Sequence, residues 1–195
     1  MDGVDGLDGW HGVTRLGAGD LALIAEIDRA EHQTVTYSVV DGRLVGTPTA
    51  FDVPPWDPTG HGSHSVAHMI EFARPIVEGG AEFLGVFDDR GAIAGIAIVD
   101  PSFPPGRAWF ALLHVDRRHR RSGVASRLWA AAVECARAGG ARTMYVSATP
   151  SDSAVGFYLG RGCRLASPAE LDERLVALEP DDIHLVADLV PTSAP

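Results

Sequence analysis

The sequence predicts an α/β domain, and three observations carry that reading. Two apolar runs, Ala81 to Phe87 and Ala92 to Val99, flank Asp88-Asp89-Arg90-Gly91, a turn composition that joins antiparallel strands. A third run, Ala108 to Val115, passes through a short basic turn and Gly123 into an Ala-rich helix over Ser126 to Ala138, closed by Gly139-Gly140. The composition is that of a globular protein: 195 residues, 46% apolar and 22% charged, enough for one domain with a sizeable core.

Taken in order, Asp2 to Gly19 is glycine-rich and without period, so residues 1–19 are expected to form a flexible lead-in to a single domain over 20–195. Asp20 is a suitable N-cap for a helix over Leu21 to Ala30. The β-branched run Thr34 to Val40 ends at Asp41-Gly42 and resumes at Leu44-Val45, a strand or hairpin. Prolines and glycines from Pro48 to Gly62 predict an irregular substrate loop. Ser63 to Val77 has helical spacing of Val66, Met69, Ile70 and Ala73, with Pro75 disturbing its end. After the Ala-rich helix come a strand at Thr143 to Ser147, a short helix at Asp152 to Leu159, a helical stretch at Ala169 to Leu178 and a strand at Ile183 to Leu189.

Charge and cysteine usage narrow the function classes. All 16 basic residues are arginine and the formal net charge is −10, which repels nucleic acid and anionic membrane and favours small cations and amines. No run reaches the roughly 20 apolar residues of a membrane span, and the acidic start does not resemble a secretory signal, so a cytoplasmic location is expected. Cys135 and Cys163 are expected to be free core thiols. Against this acidic background Arg117, Arg118, His119, Arg120 and Arg121 form a basic knot, which suits docking of an anion.

Strand, basic turn, glycine and helix in that order make a phosphate cradle. The first N–H groups of a helix lack intrahelical partners, and the helix dipole adds positive charge. Gly123 lets the backbone approach an anion closely, Ala125 and Ser126 keep the first turn open, and Arg120 and Arg121 add charge-assisted hydrogen bonds. A solvated arginine run before an ordinary helix would look similar. The segment is not a P-loop, since the G-x-x-x-x-G-K-[ST] pattern is absent, and it lacks the first glycine of a dinucleotide fingerprint.

Leu113-His114-Val115 followed by Arg120-Arg121-Ser122-Gly123-Val124-Ala125 resembles the main motif of the GCN5-related N-acetyltransferases, the GNAT family. Downstream, Ser151-x-x-Ala154-x-x-Phe157-Tyr158 and Gly162-Cys163 resemble its next motif, with Ser151 in place of the usual Asn and Cys163 in place of Phe. The resemblance covers roughly Ala81 to Ala166. It implies a mixed, mostly antiparallel sheet flanked by helices, with two central strands splayed into an acyl-CoA slot. It further implies acetyl-CoA as co-substrate, with pyrophosphate on the N–H groups of Arg121 to Ser126 and pantetheine beside Leu113 to Val115. Ser151 is a further cofactor contact by the same carry-over. The implied reaction is direct attack of an amine of a small molecule or peptide on the thioester, with Tyr158 as general acid protonating the leaving thiolate while Phe157 faces the core. A homodimer would be in keeping with the family.

The general base is not specified by the motifs. Glu31, at the expected end of helix one, is the candidate preferred here; His32, Glu71, Glu82, His114 and a water chain are the others. His61, His64 and His68 share a helix face, but no cysteine or placed carboxylate completes a metal site, so none is expected. Trp10 and Trp56 either line a pocket or anchor loops. A non-catalytic acyl-CoA-binding domain is the competing function, and nucleic-acid binding through the arginine knot is disfavoured by the net charge.

Overall fold

The computed structural model describes residues 12–103 and 106–189. In chain order its elements are β1 (Thr14–Leu16), a 3-10 helix (Ala18–Glu26), β2 (Glu31–Val40), β3 (Arg43–Val53), α1 (Val66–Glu78), β4 (Glu82–Phe87), β5 (Ile93–Asp100), β6 (Arg107–Val115), α2 (Val124–Ala138), β7 (Thr143–Ala148), α3 (Asp152–Leu159), β8 (Arg164–Leu165), α4 (Glu173–Leu178) and β9 (Ile183–Asp188). Seven strands form one sheet in the order β1-β4-β5-β6-β7-β9-β8, and β2 and β3 form a separate hairpin. Every neighbouring pair is antiparallel except β6 with β7, so the sheet is mixed and mostly antiparallel.

Helices cover both faces, which is why β5 reads as a nearly continuous apolar run. Ala97 and Val99 pack with Val124 and Leu128 of α2 and Val155 of α3. Ile96 and Ile98 pack on the other face with Leu21 and Ile24 of the 3-10 helix and Ala73 of α1. Farther along that face, Leu175 of α4 covers Trp109 and Tyr145. Gly95 is needed where α2 meets the sheet: a Cβ there would lie 2.6 Å from Val124 Cγ1 and 3.1 Å from the His114 carbonyl oxygen. Its bareness lets the first turn of α2 sit against β5, beside the end of β6. Cys135 and Cys163 are free and buried, and burial pushes their thiols up to about 11 and about 12.

Two irregularities in β6 open the sheet. Its partners on β5 step from Ile98↔Leu112 to Val99↔Phe110, leaving Ala111 as the extra residue of a bulge. Its parallel pairing with β7 stops at Phe110↔Val146, while β6 continues to Val115. Beyond Phe110 the two strands part, and the bulge re-aims the side chains: Phe110 packs on the α2 side and Leu112 on the opposite face.

Several expectations are corrected. Of the expected lead-in, residues 1–11 lie outside the described residues, and Thr14–Leu16 is an edge strand paired with β4. Helix one is a 3-10 helix beginning after Gly17 and ending at Glu26, with Asp20 inside its first turn. The burial of Leu21, Ile24 and Ile27 at spacing three matches the 3.0-residue repeat of that helix. Glu31 therefore opens β2 and does not end a helix. The expected loop after Pro48 is strand through Val53. A proline is tolerated there because a two-stranded hairpin consists of edges alone.

Candidate active site

The end of β6, past its parting from β7, forms one wall of a cavity of about 790 Å³, with Thr149 just after β7 also lining it. Leu113, His114 and Val115 line it from β6, Gly123 to Ser126 from the start of α2, Ser151 to Ala154 from the start of α3, and Phe157 and Tyr158 from farther along α3. The sequence-predicted cofactor residues thus converge on one space, with two exceptions in detail. Ser122 is absent from the lining, and its hydroxyl donates to the His119 carbonyl oxygen at 2.5 Å. The Ser151 hydroxyl is N-cap to α3, accepting from the Ala154 N–H at 3.2 Å, and Ser151 is buried, so it shapes the helix start rather than offering a free hydroxyl.

The cradle is made of backbone. Arg121 and Gly123 are both left-handed, with φ of +59° and +87°. Such alternation around a turn directs successive N–H groups into one concavity. Among the described residues, none of the N–H groups from Arg121 to Ser126 has a backbone acceptor, and Gly123 begins α2 without a side-chain cap. An anion at this helix start supplies those acceptors. Residues and group therefore fit: orphaned donors, a positive dipole end and adjacent arginine match a pyrophosphate.

Most of the arginine knot is already paired, contrary to the expectation that Arg120 reaches the phosphates. Arg117 pairs with Asp28 at 2.8 Å, Arg118 with Asp116 at 2.8 Å and Arg120 with Glu31 at 3.1 Å, while His119 faces Asp88 at 3.6 Å. Burial alone would raise the Asp116 carboxyl, but hydrogen bonds from Arg118 and from the Asp28 N–H hold it down to about 2. Arg120 Nη2 also donates to the Arg29 carbonyl oxygen at 2.6 Å. Arg121 alone in the run has no side-chain partner among the described residues, and it lines the cavity. The knot is a folding device that leaves the Arg121 guanidinium facing the cavity, unpaired among the described residues.

Tyr158 reaches the cavity from a nearly buried position, 6% exposed. Its ring packs against Phe157, Trp129 and Phe110 with centroids 5.3, 5.7 and 6.2 Å away. Burial pushes its phenol well above the ordinary value, with Cys163, Asp182 and Glu179 adding to the effect, so it stays protonated. Phe157, expected in the core, is only partly buried and shares the cavity wall, with the Arg161 guanidinium 5.1 Å from its ring centre.

Arg29, which sequence reasoning did not assign, also lines the cavity, and Trp56 packs behind the wall against His114 and Arg29. Trp56 meets the His114 ring edge to face at 5.2 Å, and the Arg29 guanidinium lies 3.9 Å over the Trp56 ring. Arg29 lies in the segment expected to be helix one, and the sequence leaves Trp56 open between lining a pocket and anchoring a loop; the strand starting at Glu31 places them together. Burial, with Arg29 and Arg120 adding, lowers the His114 imidazole to about 4, so it is neutral at pH 7. Among the described residues no group of three or more His, Cys, Asp or Glu is arranged to hold a metal ion. No described helix is long and apolar enough to cross a membrane.

This sheet, slot and cradle define an acyl-CoA-binding architecture, and the sequence agrees. Residues 48–162 match the model of the acetyltransferase (GNAT) family, and the chain belongs to that family. A nourseothricin acetyltransferase is similar in structure at TM-score 0.68 and 19% identity, over 91% of this chain and 98% of that one. A Bacillus anthracis str. Ames protein named for streptothricin acetyltransfer, solved in complex with acetyl coenzyme A, is similar at TM-score 0.62 and 16% identity, covering 89% and 94%. A Salmonella typhimurium protein named as an acetyltransferase, with acetyl-CoA, follows at 0.53 and 12%, covering 94% and 96%. No curated protein matches the sequence. Acetyl-CoA is the co-substrate that this family fold and cradle serve.

Proposed function

We propose that the protein transfers the acetyl group of acetyl-CoA to a primary amine of a small molecule or peptide by direct attack within the slot. The observation that carries this reading is that orphaned N–H groups from Arg121 to Ser126 and the Tyr158 ring border one cavity at the parted strands. The cradle and Arg121 hold the phosphates. The unpaired edge of β6 from Ala111 to Val115 offers backbone groups to the pantetheine arm and to the developing oxyanion. As nitrogen bonds to the carbonyl carbon and the C–S bond breaks, Tyr158 gives its proton to the sulfur. Holding both substrates in one cleft contributes the proximity part of the rate.

Glu31 serves this reading better as a tether than as a base. Its Oε2 accepts from Arg120 at 3.1 Å and from the Ser153 hydroxyl at 2.8 Å, joining the two lips of the slot. The ammonium proton leaves through water, beside a His114 imidazole whose neutrality spares the incoming amine a like charge.

The test follows free thiol release from acetyl-CoA across a panel of amines that includes a streptothricin, polyamines, amino acids and peptide N-termini. Thiol release above hydrolysis with at least one amine is expected. Tight CoA binding by calorimetry with no amine-dependent release would replace this reading with that of a non-catalytic acyl-CoA-binding domain.

A further inference from the structure

We infer that Arg29, clamped on Trp56, is an anion-recognition residue on the acceptor side of the slot, and that the amine acceptor carries a carboxylate. The inference rests on the acetyl-transfer reading and adds the acceptor's chemical class. An arginine cannot discharge itself by losing its proton. Burial lowers the Arg29 pKa, with Glu31 opposing, yet the guanidinium has no ion pair or side-chain hydrogen bond among the described residues. Stacking on Trp56 offsets only part of the desolvation, and it holds the planar fork in one orientation. Two donors are buried there without acceptors, Arg29 Nε and Trp56 Nε1, and Trp56 is only 8% exposed. An incoming oxyanion would satisfy Arg29 bidentately.

The side of the sheet selects the source of that anion. Along β6 past the bulge, Leu113 and Val115 pack with the α2-side core, while Leu112 packs on the opposite face. Alternation along a strand puts His114 on the face of Leu112, and Trp56 and Arg29 stack outward from His114. The phosphate cradle belongs to α2, on the other side. The ionisable groups around Arg29 are Glu31 and Arg120, paired with each other, the latter also donating to the Arg29 carbonyl oxygen, and the neutral His114. A cofactor phosphate is thus served elsewhere, and the group left for Arg29 is a carboxylate of the acceptor. The net charge of −10 favours the acceptor's ammonium at long range, and Arg29 recognises its other end.

The test compares matched amines with and without a carboxylate: glycine, L-alanine and L-phenylalanine against their carboxamides. The parent enzyme should prefer the acids by at least tenfold in kcat/KM, and Arg29→Gln should erase the preference while leaving the acetyl-CoA KM within twofold. A binding readout needs no turnover: N-acetyl-L-phenylalanine and its amide are titrated against CoA-loaded protein by calorimetry. Saturable binding of the acid, lost in Arg29→Gln and weakened in Arg29→Lys and Trp56→Phe, supports the site even if no amine is acetylated. Equal use and equal binding of acids and amides would overturn it while leaving acetyl transfer standing. A variant that weakens CoA and not the acid would reassign Arg29 to a phosphate. Arg29→Lys retains the charge, so a low melting temperature confined to Arg29→Gln does not obscure the comparison.

Discussion

Glu31 and Arg120 form an ion pair at the mouth of the slot, with 3.1 Å between Oε2 and Nη1. The arginine that opens the family-like motif therefore holds the start of β2 in place, and Ser153 on the same carboxylate oxygen extends the tie to α3. Since Arg117 and Arg118 are also paired, Arg121 and backbone donors are what the start of α2 leaves available to an anion.

That division predicts unequal effects of changes at Arg121 and at the carboxylate that holds Arg120. Arg121→Gln should weaken CoA binding about tenfold, the size of one charge-assisted hydrogen bond at a partly exposed site. Glu31→Gln should act on the slot's shape, lowering the melting temperature more than it changes phosphate affinity. Gly123→Glu should abolish measurable binding, because φ of +87° disfavours a side chain and the new carboxylate faces the anion. Calorimetry with CoA reads all three, and undiminished binding by Gly123→Glu would show the cradle to be misplaced.

How much of this was legible depended on whether the forces were local. Helix α3 is read from sequence at its observed bounds because Ser151 caps it and Gly160 to Gly162 stop it. The β4–β5 hairpin announces itself through Asp88, whose carboxylate accepts from the N–H groups of Arg90 and Ala92. By contrast, β1 exists only through pairing with β4, some seventy positions away, and its glycine-rich surroundings hide it. The arginine knot was legible as charge but not as pairing, since Asp28 and Glu31 lie far from it in the chain and beside it in space. The Arg29–Trp56 stack was illegible for the same reason.

Tyr158 offers the sharpest test of chemistry. Its phenol stays protonated across the physiological range, and no acceptor for its O–H is found among the described residues, so the proton is available to a leaving thiolate. Tyr158→Phe keeps the ring in its aromatic cluster, and stability and CoA affinity should barely change. The kcat should fall about 10²–10⁴-fold, the usual contribution of general acid catalysis. An undiminished kcat, with chemistry rate-limiting, would remove Tyr158 from the mechanism.

His114 should make the fold acid-sensitive. Its folded-state value of about 4 lies below the ordinary 6.5, so the unfolded chain binds a proton that the folded chain refuses. Stability from this source is complete above pH 6.5 and is lost as pH falls towards 4. His114→Gln lacks that dependence, so parent and variant melting curves should converge as pH drops from 7.5 to 4.5. A constant difference between them would mean that the imidazole titrates normally.

Glu179 should have the opposite sign. Burial, with Asp182 adding, raises its carboxyl from 4.5 to about 7. A raised carboxyl stabilises the fold while protonated, below pH 4.5, and that stability is lost as pH rises through 7. At pH 8 the folded protein therefore carries a charge it holds unfavourably, next to an Asp182 itself raised to about 6. Glu179→Gln replaces the charge with a neutral group of the same length. After allowance for partial solvent screening, the variant should gain about 1 kcal/mol at pH 8, or roughly 2–4 °C in Tm for a chain of this size. At pH 4 both proteins are neutral at this position and should melt together. The difference between the two pH values isolates ionisation from packing, because any packing change made by the amide is present at both. Should Glu179→Gln destabilise equally at pH 4 and pH 8, the effect is one of packing alone and the carboxyl's proton affinity is not raised in the folded state.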